Sequence, residues 1–152
     1  MKLELKHLAP YLPYKLQIFD TSQEECIFCL NEWLFREKQF VKPFFKNHLE
    51  QILNDESLKP ILRPLSDLRK DEYFDSFYAF CENKLIVNPY FLLEALEKGK
   101  YFLIDFNKYY KIEEFMNENH FDWRFNLIEN GLAIDKNNIA KKLEKMCFKM
   151  HF

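Results

Sequence analysis

Lys59-Pro60-Ile61-Leu62-Arg63-Pro64-Leu65 decides how this chain is read. Each proline lacks an N–H and disfavours helical backbone in the residue before it, so two prolines four apart forbid a regular helix here. The residues between them are apolar enough to be buried. The segment therefore reads as an extended hydrophobic connector laid across a core, and it divides the chain. Before it the sequence alternates; after it the spacing is mostly helical.

On the amino-terminal side, Leu3-Glu4-Leu5-Lys6-His7-Leu8 alternates apolar and polar residues until Pro10 and Pro13. Alternation of period two predicts a short strand. Lys15 to Phe19 alternates again and predicts a second strand, followed by the turn residues Asp20-Thr21-Ser22. Glu25 to Phe35 fits two patterns. Ser22 with Glu25 forms a capping box, with Leu30, Trp33 and Leu34 on a helical face. Cys26-Ile27-Phe28-Cys29-Leu30 equally forms a buried strand, and the strand is the preferred reading. Phe44 to Leu53 predicts a helix, with Pro43 in its first turn and Phe45, Leu49, Ile52 and Leu53 at helical spacing.

Beyond the connector, Ser66 or Asp67 can cap a short helix, and Asp75 falls in a helical stretch. Asn88-Pro89 opens the clearest helix: Asn88 caps it, Leu92, Leu93 and Leu96 form its stripe, and Gly99 ends it. Tyr101 to Phe106 predicts a strand. Asn107 can cap a helix that turns Tyr109, Ile112, Phe115 and Met116 inward. His120 to Glu129 reads as helical up to Gly131, and Ile139, Leu143, Met146 and Met150 line a carboxy-terminal helix. The expected fold is α+β, a small amino-terminal β portion with a mainly helical carboxy-terminal half, in a single domain over 1–152.

Composition narrows the function classes. The chain has 152 residues, 48% hydrophobic and 30% charged, with a formal net charge of −2, which is ordinary for a folded domain. With only 2 glycines it cannot build a P-loop or a dinucleotide fingerprint, both of which need several glycines close together. Its 17 Phe, 8 Tyr and 18 Lys against 4 Arg fit AT-rich coding sequence, as in a bacterium or its phage. No apolar run of about 18 residues predicts a membrane span. The start of the chain lacks a signal-peptide core, so a cytoplasmic location with reduced thiols is expected.

Four motifs bear on chemistry. Cys26-x-x-Cys29 is half a zinc site, and zinc wants four ligands; Cys81 stands alone and Cys147-x3-His151 is isolated. Glu24 and Glu25 would raise, not lower, a redox thiol beside them. Glu82-Asn83-Lys84 before Leu85-Ile86-Val87 resembles the acid-x-Lys step of a metal-dependent nuclease, with Asp71 or Asp75 as upstream acid. His120-Phe121-Asp122 pairs a base with an orienting acid, or marks a bend with Asp122 as a cap. None of the four histidines has metalloprotease spacing, and no Gly-x-Ser-x-Gly occurs. The expectation is a non-enzymatic protein with no catalytic residues, metal or cofactor.

Charge is segregated. Ile112 to Trp123 holds Glu113, Glu114, Glu118 and Asp122 with no Lys or Arg; Lys136 to Phe152 holds five lysines against Glu144. Glu113, Glu114 and Glu118, and the helix face of Lys141, Lys142, Lys145 and Lys149, are the candidate partner-binding residues.

Three stretches carry a resemblance: Met1 to Tyr14 (MKLELKHLAPYLPY), Lys59 to Leu68 (KPILRPLSDL), and His120-Phe-Asp with Leu127 to Asp135 (LIENGLAID). Their order and wording resemble a family of small phage and prophage proteins, over roughly a third of the chain. Family members usually continue the first stretch Tyr-Gly-Leu where this chain has Tyr14-Lys15-Leu16. In size, composition and phage-like wording, the chain also resembles anti-CRISPR proteins acting on type VI-B RNA-guided RNases. That resemblance implies a cytoplasmic inhibitor that binds the host effector protein, with or without its guide RNA, and interferes with guide RNA use. The alternatives are a phage accessory nucleic-acid-binding protein, using the same lysines on phosphates, and a metal-dependent nuclease through Asp75, Glu82 and Lys84.

Overall fold

A computed structural model describes residues 2–22, 25–29 and 49–139. The fold is α+β: a mixed sheet with helices packed around it. Among its helices are α1 (Leu5–Leu8), α2 (Asp71–Phe80), α3 (Pro89–Glu97) and α4 (Phe106–Glu118). Its strands are β1 (Gln17–Asp20), β2 (Glu25–Cys29), β3 (Leu58–Pro64), β4 (Phe121–Asp122) and β5 (Ile134–Asp135). Strand order is β2-β1-β3-β4, with β5 also paired to β3. β1 pairs antiparallel with both β2 and β3, while β4 and β5 run parallel to β3.

The proline segment is thus more than a connector: it is the strand to which three others pair. Proline normally keeps to sheet edges because it cannot donate to a ladder. Thr21 N–H donates to the Ser57 carbonyl at 2.8 Å, and that bond sets the alternation along β1 and β3. Ile18 and Pro60 then face each other as a non-hydrogen-bonded pair, so β1 asks nothing of the Pro60 nitrogen. On β4's side, Arg63 N–H donates to the His120 carbonyl at 2.8 Å, which points the Pro64 nitrogen away from β4. Each proline sits where its partner strand needs no donor.

Side chains of β3 alternate between two faces. Leu58 and Leu62 join Leu8, Tyr11, Leu16, Ile18, Ile52 and Leu127 in one core. Phe19 and Ile61 pack with Ile139 on the other face. A second, larger core lies among the helices, built from Leu68, Phe77, Leu92, Leu96, Ile112, Met116, Phe121 and Trp123.

Several local expectations are corrected. Leu3–Leu8 is not a strand: Leu5–Leu8 is a helical turn that continues as a 3-10 helix over Ala9–Tyr14. His7 supplies the reason, since its Nδ1 accepts the Glu4 N–H at 2.9 Å and caps the turn. Lys15 then reverses the chain at φ 55, in the left-handed region that only glycine enters without strain. Tyr101–Phe106 is not a strand either. Tyr101–Leu103 is a 3-10 turn, and Asp105, not Asn107, caps α4 by accepting the Asn107 N–H. His120–Glu129 is not helical: His120 and Asn126 both take positive φ, and β4 lies between them. Neither Ser66 nor Asp67 caps; Pro64 precedes a 3-10 turn over Leu65–Arg69. The expectation for 44–53 is met where described, with helix over 49–54, and β2 covers the described part of Glu25 to Phe35. The carboxy-terminal helix lies outside the described residues beyond 139.

The amino-terminal turns dock far along the chain. Tyr11 donates its hydroxyl to the Phe121 carbonyl at 2.6 Å, and the His120 Nε2–H donates to the Tyr14 carbonyl. His7 meets the Phe125 ring edge-on at 5.0 Å. Burial, the largest cause, pushes both imidazoles below their ordinary value, against the Tyr14 carbonyl that favours His120 protonation. A depressed histidine contributes stability above about pH 6.5 and loses it as pH falls through its folded value. Protonating His7 would also turn its accepting Nδ1 into a donor against the Glu4 N–H. Thermal midpoints should therefore fall between pH 7.5 and 5.5. The double variant His7→Gln, His120→Asn should flatten that slope, because glutamine can still cap and asparagine tolerates positive φ. An unchanged slope in the variant would assign the pH dependence elsewhere.

Candidate functional site

The longest described helix, α4, buries Ile112 and Met116 and half-buries Tyr109 and Phe115, as their spacing predicts. Its opposite face is unusual. Phe106 is 89% exposed and Tyr110 62% exposed. Glu114 and Glu118 are exposed as well. These four residues follow one another at i, i+4 intervals, so their Cβ atoms stand about 5–6 Å apart along one stripe. Lys111 flanks it. The stripe is aromatic at the helix start and acidic at its end.

That polarity runs against the helix. The carboxyl end of a helix carries partial negative charge from its unpaired carbonyls, and an acid in the last turn, as Glu118 is, is disfavoured by about 0.3–1 kcal/mol. No basic residue lies in the last turn of α4. Glu114 and Glu118 add like-charge repulsion at i, i+4. The sequence grouped Glu113 with them, but Glu113 turns aside to Arg124 Nη1 at 3.6 Å. Among the described residues Glu114 and Glu118 have no ion-pair partner.

The other candidates are dispersed. Lys141, Lys142, Lys145 and Lys149 lie outside the described residues, as do Cys147 and His151. Cys26 and Cys29 sit on β2. Cys81 is buried, and burial, with Glu82 beside it, pushes its thiol up to about 12. Glu82-Asn83-Lys84 lies in a π-wound turn, Cys81–Leu85, ended by Ile86 at φ 55, so no strand follows the motif; Asp71 and Asp75 belong to α2. Asp122 is a cap, but of a turn: its two oxygens accept the Leu127 and Ile128 N–H groups at 3.0 and 2.9 Å. Among the described residues no three His, Cys, Asp or Glu side chains converge as a metal-holding group, and no helix is long and apolar enough to cross a membrane.

Sequence reading found the acids and missed Phe106 and Tyr110, which it left inside a strand and on an unassigned face. Their i, i+4 register with Glu114 and Glu118, opposite Ile112 and Met116, was the available signal. No protein-family model, curated protein or solved structure matches this chain.

Proposed function

We propose that this protein is a non-enzymatic, phage-encoded inhibitor of the anti-CRISPR type. It binds a type VI-B RNA-guided RNase of the host in the cytoplasm and interferes with its use of guide RNA. The observation that carries the docking surface is the α4 stripe: Glu118 in the helix's last turn and Glu114 one turn before it, neither with an ion-pair partner among the described residues, beside two exposed aromatic rings. A partner that brings positive charge and apolar area relieves both features at once. A surface built to hold RNA offers such chemistry, since it is basic for phosphates and stacks on rings. The phage-like wording of the three quoted stretches supports the setting. Lys141, Lys142, Lys145 and Lys149 remain a second candidate contact, on charge alone.

The test begins with interference in bacteria carrying the RNase, with and without the protein. Restored phage plating is expected; none, with the protein expressed, removes this target. Affinity for the purified effector is then measured for wild type and for Glu114→Lys with Glu118→Lys. The double reversal should weaken binding by about tenfold or more, the usual scale for truncating paired charges at an interface. It should also stabilise the free protein slightly, because cations suit the end of a helix. Opposite signs in binding and stability distinguish a docking face from a structural one. Unchanged affinity dismisses α4. Strong, salt-dependent binding to RNA or DNA alone would instead favour the accessory nucleic-acid-binding reading.

A further inference from the structure

Glu82, whose motif no strand follows, lines a surface cleft of about 220 Å³. With it stand Tyr78 from the last turn of α2, Ile86 and Val87 after the π-wound turn, and Pro89 and Tyr90 at the start of α3. The backbone between the two helices brings these side chains together. The Ile86 and Val87 N–H groups both donate to the Cys81 carbonyl, which folds the chain back at Ile86. That closure uses left-handed backbone at φ 55, where glycine is unstrained and a β-branched residue is not. The chain nevertheless carries isoleucine there and leaves it 83% exposed. Phe74 packs on both tyrosines, its ring centroid 6.0 Å from Tyr78 and 5.4 Å from Tyr90. The hydrogen bond to Glu82, the largest cause, pushes the Tyr78 phenol above its ordinary value, and Tyr90 adds to it.

The make-up of the cleft selects its occupant. Among the described residues that line it, Glu82 alone is charged, and it has no ion-pair partner among the described residues. Aromatic faces carry negative potential and attract cations. Ile86, Val87 and Pro89 supply apolar wall, which suits the methylene stem of a long basic side chain. A purely apolar occupant would strip water from Glu82 and return nothing, and an anion would be repelled by it. Pockets for drug-sized ligands hold about 300–1,000 Å³, so this cleft suits one side chain better than a cofactor. A guanidinium fits it better than an ammonium: it is planar, stacks on rings, forks onto a carboxylate and is more weakly hydrated. We propose that Tyr78, Glu82 and Tyr90 form a receptor for a single arginine side chain of a partner protein, with Ile86 as the apolar rim that the partner covers. The guanidinium pairs with Glu82 and lies against the tyrosine rings, and its stem runs along the apolar wall. The cleft belongs to other elements than the α4 stripe and stands independently of it.

The test is an NMR titration of the full chain with a capped Ala-Arg-Ala peptide and with its lysine, citrulline and norleucine counterparts. The arginine peptide should give saturable shifts centred on Tyr78, Glu82, Ile86 and Tyr90. Citrulline keeps the shape and loses the charge, so it should bind about tenfold weaker, with ion pair and cation–π contact both gone. Glu82→Gln should weaken the arginine peptide by about threefold to fivefold, the scale of an exposed ion pair. Tyr90→Leu, which keeps apolar area and removes the ring, should cost about threefold. Both positions are exposed, so the fold persists in either variant. Glu72→Gln, an exposed acid of α2 outside the cleft, should bind as wild type does. The proposal is overturned by no saturable shift at tens of millimolar or by equal affinity for the citrulline, norleucine or lysine peptide. Unchanged binding in Glu82→Gln, or equal weakening in Glu72→Gln, overturns it as well. None of these readouts uses the RNase, so the outcome is separate from that of the interference assay.

Discussion

Phe77→Ala should remove about 3–5 kcal/mol of stability, the usual cost of emptying a buried phenylalanine site. Phe77 is 1% exposed on α2 and packs among Leu92, Leu96 and Met116, with the Phe115 ring 6.0 Å away. The α3 and α4 side chains around it cannot collapse fully into the hole, so most of the lost contact stays lost. A domain of this size has about 5–15 kcal/mol in total. The variant should melt roughly 10 °C lower, at about 2–4 °C per kcal/mol. Ser76→Ala, on the exposed face one residue earlier, should stay within about 0.5 kcal/mol. A urea titration of both variants checks the pair; a Phe77→Ala midpoint near wild type would mean that the helical core is not packed as described.

Asp122→Ala acts through hydrogen bonds instead of volume. The carboxylate is buried and joins β4 to the turn at 127–128 by accepting two backbone N–H groups. Burial raises its pKa and the two N–H bonds pull it down, burial being the larger. Removing the carboxylate leaves two donors without acceptors, at about 1–3 kcal/mol each. The expected loss is about 2–5 kcal/mol. Asp122→Asn should lose less, since its amide oxygen serves one donor while its nitrogen faces the other. Unfolding midpoints with an unchanged urea slope would register both effects as changes of stability. Equal loss in Ala and Asn would show that charge, not acceptor count, holds the turn.

How much of this was legible in the sequence depends on where each element finds its partners. Helix α3 was readable whole, because its signals are local: Asn88 accepts the Tyr90 and Phe91 N–H groups, Pro89 starts the first turn, and the leucine stripe meets the core. Strand β1 was readable from alternation. Leu3–Leu8 was misread because six alternating residues fit a strand as well as a turn, and the deciding groups are a histidine cap and a docking site more than a hundred residues away. Tyr101–Phe106 was misread for a similar reason. Its aromatic run suits a strand, yet Tyr101 is held by its hydroxyl on the Trp123 carbonyl and Asp105 starts a helix. Residues 120–129 failed through positive φ at His120 and Asn126, which no hydrophobic pattern announces. The candidate site was half legible. Acidic charge is visible in composition, but exposure of Phe106 and Tyr110 depends on which face the core claims.

The Tyr11–Phe121 bond spans 110 residues, and β3 waits for β4 and β5 beyond it. As the chain leaves the ribosome, Leu8, Tyr11 and Pro13 emerge long before the strand and loop that cover them. The first core therefore closes late, after residue 134 is free, while α2, α3 and α4 can associate earlier through near neighbours. Contacts of such long separation make for slow folding. In the interval the apolar amino-terminal segment stands open, and the time spent waiting, more than the final stability, sets how much nascent protein is lost to aggregation.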